Sequence, residues 1–255
     1  MKPWLAFPLM LLALLAVGVD RSVAGMDSPF ESSGDRAHTY SARVNETYGS
    51  FHEGFNWSYL APEWFWVREN QNKWSLLARP GYLRIATQYG TLDGGTANNI
   101  LLRPAPVVSY ELSTRVQIDS VQNYQEAALM LYRDDDNYVK LSKLYHSYLG
   151  GNVYLLLREK DGVRENASIM PAPEPISEIK MTVRGNLIIG WYKNGIGEWV
   201  RVGDIQLGEP SIHYPYVGIT AHNGIEDVNV SSVPADFDFV QAKVMTMLYL
   251  PLAQR

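Results

Sequence analysis

An all-β fold, a two-sheet antiparallel jelly-roll sandwich, is what this sequence predicts, and three observations predict it. From Phe51 onwards, short runs rich in Val, Ile, Leu, Tyr and Trp recur, broken by Gly, Pro, Asn and Asp, the pattern of strands joined by tight turns. No stretch sustains the apolar periodicity of an amphipathic helix, so helices are not expected. Within the runs, side chains alternate. In YELSTRVQI, Leu112, Thr114, Val116 and Ile118 fall on one side and Glu111, Ser113, Arg115 and Gln117 on the other, as in a strand with one face buried.

In chain order, residues 1–24 read as a signal peptide. Lys2 supplies a positive start, Leu5 to Val19 is an almost unbroken apolar run, and Ser22-Val23-Ala24 offers small residues for cleavage before Gly25. The run is shorter than the about 20 residues of a spanning helix, and Asp20 and Arg21 end it. Cleavage and secretion, by bacterial-type export, are therefore expected, with no membrane span afterwards. Residues 25–50 are polar with few aliphatics and are expected to be a flexible lead-in. The sandwich is expected over 51–244, as one domain.

Its strands are expected at 64–69, 73–78, 81–86, 99–103, 108–117, 126–133, 137–145, 152–159, 164–170, 177–184, 187–193, 198–204, 215–221 and 234–244. Asp93-Gly94-Gly95 and Gly150-Gly151 supply residues tolerant of positive φ, and Asp161-Gly162 is a strong hairpin signal. Arg184-Gly185-Asn186 and Lys193-Asn194-Gly195 join three runs into a meander, and PAPEP at 171–175 reads as a stiff crossing between sheets. The tail, 245–255, is apolar and is expected to add an edge strand.

Composition narrows the function. The chain has no cysteine, so an exported fold must stand on its core without disulfides. A formal charge of −5, with Lys and Arg interspersed, leaves no basic field for nucleic acid. The five histidines show no H-E-x-x-H or H-x-H spacing, and no phosphate-binding glycine loop or G-x-S-x-G elbow is present.

The pieces FNWSYLAPEWFWVREN (55–70), WSLLARPGYLRI (74–85), NILLRPAP (99–106), YQEAALMLYRDDDNYVKL (124–141), GEWVRVGDI (197–205) and YVGITAHNG with VPADFDFVQ (216–241) recur in one order. On these the chain resembles the concanavalin A-like domain at the C-terminus of family 43 β-xylosidases and of related stand-alone secreted proteins. The resemblance implies a sandwich of the lectin/glucanase kind, associated with plant-type polysaccharide. In the two-domain enzymes this module is accessory and the catalytic carboxylates lie in a separate propeller, so no glycosidase activity is expected of the sandwich alone. One motif usually written E-A-G-L reads Glu126-Ala127-Ala128-Leu129 here.

Sugars present C–H faces that stack on aromatic rings and hydroxyls that bond to charged and amide groups. A secreted accessory module binding xylan- or glucan-like polysaccharide is therefore expected. Its site is sought among Trp64, Trp66, Arg68, Glu69, Glu126, Tyr132, Tyr138, Lys140, Tyr145 and His222, chosen by the resemblance and by strand alternation. Two alternatives stand beside it: a small glycoside hydrolase using Glu69 and Glu126, and a cell-surface interaction domain without a sugar site. No cofactor is expected. The acidic turn at 133–138 lacks the glycine and terminal glutamate of an EF-hand loop. Asp236 and Asp238, on one face of the last strand, are the candidates for a structural calcium.

Overall fold

The computed structural model describes residues 49–107, 109–208 and 210–245. The expected signal peptide, the lead-in up to residue 48 and the tail from 246 lie outside the described residues. The strands, in chain order, are β1 (Phe51–Glu53), β2 (Phe65–Val67), β3 (Trp74–Ser75), β4 (Leu83–Ala86), β5 (Ile100–Pro104), β6 (Tyr110–Ile118), β7 (Glu126–Asp134) and β8 (Asn137–His146). They continue with β9 (Gly151–Lys160), β10 (Val163–Pro171), β11 (Ile176–Arg184), β12 (Leu187–Lys193), β13 (Val200–Gln206), β14 (Tyr216–His222) and β15 (Pro234–Val244). Every expected strand is present within a few residues, and β1 is an addition.

Two antiparallel sheets hold them. One runs β13-β12-β11-β6-β15-β4-β3, with β1 pairing the far end of β15; the other runs β10-β9-β8-β7-β14-β5-β2. The turn residues act as the sequence predicts. Asp161 (φ 49°) and Gly162 (φ 73°) both take positive φ between β9 and β10, the geometry of a two-residue hairpin whose twist matches its strands. Residues 172–175 carry the chain from β10 in one sheet to β11 in the other. β11, β12 and β13 pair in order as the expected meander.

Between the sheets lies an apolar core. Leu112, Val116 and Ile118 of β6, Leu129 and Leu131 of β7, Leu141 of β8, and Ile219 of β14 are in it, so strand alternation decides the inner face. Trp64 belongs to this core, 6% exposed, with its ring edge-on to Phe51 at 6.0 Å. Trp66 packs on it from β2 and meets Trp74 of β3 at 4.9 Å between ring centroids, so the two rings bridge the two sheets.

The two calcium candidates, Asp236 and Asp238, are paired with arginines. Asp236 is held by Arg84 at 2.7 and 2.8 Å and by Arg79 at 3.0 Å, and Asp238 by Arg115 at 3.3 Å. Guanidinium groups thus engage both oxygens of Asp236 and one of Asp238. Burial acts to raise the Asp236 carboxyl, but the arginine hydrogen bonds hold it below the ordinary carboxylate range.

Candidate functional site

The seven-stranded sheet turns its second face outward. On that face β7 presents Glu126, Ala128, Met130 and Tyr132, because Ala127, Leu129 and Leu131 point into the core. Its pairing brings Lys140 of β8 opposite Met130, and His222 of β14 opposite Glu126. Half of this face is covered. Leu92 and Ala97, from the segment joining β4 to β5, pack on Ile100, Leu102, Met130, Tyr132, Tyr138 and Leu157 in a second apolar cluster.

The uncovered half forms a recess of about 420 Å³, within the range of about 300–1,000 Å³ usual for small-molecule sites. Glu126, Lys140, Tyr138 and His222 make a buried floor, with Leu144, Leu155, Leu157, Ala167 and Ile169 as an apolar wall. Thr91 and Asp93 close one side; Gly224, Ile225 and Glu226 close another. Arg164, Glu165, Ala167 and Ile169 on β10 are exposed and form the mouth.

The floor is charged but balanced. Glu126 is 3% exposed, and the Lys140 ammonium sits 2.7 and 2.9 Å from its two oxygens. Burial acts to raise this carboxyl; the Lys140 charge, assisted by His222 and by hydrogen bonds, holds it below the usual range. His222 is 2% exposed, and burial, with the nearby ammonium, pushes it down to about 4 against the pull of Glu126. Its Nδ1 accepts from the Gly224 N–H at 3.4 Å, which places the proton of the neutral ring on Nε2. That Nε2–H lies 3.7 Å from Glu126, too far for a hydrogen bond. The Thr220 hydroxyl, on the same face of β14, is buried and also unpartnered. Tyr138 donates to Glu159 at 3.0 Å, and burial pushes both the phenol and this carboxyl up.

Of the residues expected to form a site, Glu126, Tyr138, Lys140 and His222 come together. The others do not line the recess. Trp64 and Trp66 take the inter-sheet side of their strand while Phe65 and Val67 take the outer one; alternation shows which residues share a face, not which way it points. Rings that stand in solvent include Trp57 (68% exposed) and Tyr59 (66%), a stacked pair outside the recess lining, and Tyr148 (87%), edge-on to the recess residue His146 at 6.1 Å. Arg68 and Tyr132 brace the covering segment: Arg68 donates to Ala97 O at 2.6 Å and to both oxygens of Asp135 at 2.7 and 2.8 Å, and Tyr132 donates to Asp135 at 2.9 Å. Glu69 accepts from Trp74 Nε1 at 3.1 Å. Tyr145 shares the inward parity of Val139 and Leu141.

Residues not foreseen complete the recess. His146 and Leu144 follow from Lys140 by the same alternation on β8 and were legible there. Asp93 and Arg164, which form an ion pair across the rim, were not: one sits in a turn, the other at the bulged start of β10, and only the tertiary fold unites them. Thr91 also donates to Asp93. The two carboxylates expected of a hydrolase do not come together here: Glu126 is held ionised by Lys140, and Glu69 lies outside the recess. Among the described residues no group of three or more His, Asp or Glu is placed to hold a metal ion, and no helix is long and apolar enough to cross a membrane.

The family model described as the β-xylosidase C-terminal concanavalin A-like domain matches residues 52–243. No curated protein matches the chain. Among solved structures it is similar to a GH43 protein from Bacillus licheniformis (21% identity, TM-score 0.69, 76% of this chain and 39% of that one). It is similar too to a xylan β-1,4-xylosidase from Bacillus halodurans (22% identity, TM-score 0.65, 75% and 38%). A β-glucanase from Bacillus licheniformis shares the jelly roll at 12% identity and TM-score 0.55, covering 78% of this chain and 100% of that one. The chain thus spans about two fifths of the length of the two GH43-type structures, and at these identities the likeness is one of fold.

Proposed function

Because the chain belongs to the β-xylosidase C-terminal concanavalin A-like domain family, we propose that it is an accessory carbohydrate-binding domain that holds a short saccharide in the recess of its seven-stranded sheet. One observation carries the reading. The recess keeps two unused buried polar atoms, the Nε2–H of His222 and Nδ1 of His146, beside a neutralised Glu126–Lys140 pair and an apolar wall. Buried polar groups without partners are costly, so a ligand supplying hydroxyls to one side and C–H surface to the other is favoured. A sugar ring is such a ligand. The matched family supports xylan-like material as the first class to try, and the apolar run of residues 5–19 supports a place outside the cell.

Calorimetric titration of the folded chain with xylo-, arabino-, cello- and laminari-oligosaccharides tests this. One series is expected to bind with a stoichiometry of one. His146→Phe, which removes an unpartnered ring nitrogen while keeping a flat ring, is expected to leave the fold intact and weaken binding about tenfold. Absence of heat with every series, or His146→Phe binding as tightly as the parent chain, counts against the recess as the site. Release of reducing sugar from the same substrates, lost on Glu126→Gln, would instead favour a hydrolase.

A further inference from the structure

We infer that the recess is a blind subsite for the uncharged end of a glycan chain and does not accept the middle of one; the inference rests on the saccharide reading above. A polysaccharide lying across the strands needs the outer face open from edge to edge. Here it is stopped at β14. Beyond that strand, Ile100 and Leu102 of β5 are fully buried on the outward side beneath Leu92 and Ala97.

The stop is sealed by backbone. Gly90 N donates to Gly224 O at 2.9 Å and Asn223 N to Gln88 O at 2.8 Å, while the Tyr89 hydroxyl donates to Ile225 O at 3.2 Å. Gly90 takes φ 140°, and a Cβ there would lie 2.5 Å from Thr96 O, so the covering segment folds on itself there more tightly than a side chain permits. A ligand cannot clear this barrier by turning a rotamer. Access remains from the β10 side, where Ala167 and Ile169 are exposed. A chain entering there must end at the floor.

The lining also selects charge. Its lysine and its arginine are both engaged, Lys140 by Glu126 and Arg164 by Asp93. Two further carboxylates stand at the rim, the exposed Glu226 and Glu165, the latter paired with Arg158 at 2.9 Å. Among the described residues lining the recess, a uronic carboxylate finds no uncommitted cation and meets acids on entry, which disfavours it. Uncharged pentose or hexose ends are what fit.

The test uses the full chain with xylan cut to graded mean lengths, intact and glucuronic-acid-capped xylo-oligosaccharides, and the matching cello- and laminari- series. Moles of protein bound per gram of polymer at saturation are expected to rise in proportion to the number of chain ends, and the acidic cap to weaken binding by roughly tenfold or more. Glu226→Lys, a change at an exposed position, is expected to restore part of the affinity for the capped fragment. Capacity per gram that stays constant as the polymer shortens overturns the blind-end inference while leaving the saccharide reading intact. Equal affinity for capped and uncapped fragments overturns the charge selection. If no oligosaccharide or polymer of any series binds, the saccharide reading itself fails and takes this inference with it.

Discussion

His222 shows how a single buried side chain ties the recess to stability. It faces Glu126 from β7, Lys140 from β8 and Asp93 from the covering segment, and burial lowers it from 6.5 to about 4. A base whose folded pKa is depressed is neutral in the fold while the unfolded chain still takes up a proton. Its full stability therefore holds above about pH 6.5 and is lost as the pH falls towards 4. Glu126, held low by Lys140, acts in the same direction at lower pH still, since its ionised form is the one the fold favours. Urea midpoints measured from pH 8 to 4 are expected to fall, by roughly 3 kcal/mol at the acid end for the histidine. His222→Gln is expected to flatten the slope between pH 6.5 and 4; an unchanged slope would mean another group controls it. This much of the site was readable beforehand, because Glu126, Tyr138, Lys140 and His222 sit in or beside one resemblance and on alternating strands. Trp64 and Trp66 were misjudged because alternation does not say which side faces the core, and a large apolar ring beside the inter-sheet space is drawn into it.

At the level of elements, the strands were the most legible part of the molecule. Runs broken by Asp161-Gly162, Arg184-Gly185 and Lys193-Asn194-Gly195 became hairpins because these residues tolerate the backbone a tight reversal needs. β1 escaped notice because three residues on the edge of β15 are too few to show a period. The covering of β5 and β2 was also invisible, since Leu92 and Ala97 belong to no regular element. One close approach between elements makes a sharp prediction. A Cβ on Gly218 of β14 would lie 1.9 Å from Leu101 O of β5, so Gly218→Ala must push the paired strands apart. A loss of about 3 kcal/mol or more is expected from chemical denaturation, at the upper end of overpacking costs. Gly208→Ala, with nothing within 4 Å of the new methyl, is the control and is expected to change stability by no more than about 0.5 kcal/mol. Similar values for the two would show that β14 and β5 are not held at this distance.

For the whole molecule, the absence of cysteine and the apolar leader make one proposal together. If residues 1–24 direct export, the protein recovered from the periplasm or the medium is expected to begin at Gly25, read from its intact mass. Its melting temperature is expected to be the same with and without a thiol reductant, because no cross-link contributes. Recovery of the exported chain with Met1 still attached would refute cleavage. The sandwich resists other hazards by its own arrangement: the exposed edge strands β10 and β13 carry Arg164, Glu165, Arg201 and Asp204, charges that discourage pairing with a second chain.

The indoles of Trp66 and Trp74, tilted 35° to one another at 4.9 Å, give the molecule a built-in optical gauge. Chromophores so near couple their transitions, and the resulting bisignate circular-dichroism band depends on both sheets keeping their mutual position. Its amplitude would follow parting of the layers, and neither ring lines the recess, so loosening of the scaffold and filling of the site can be watched separately in one cuvette.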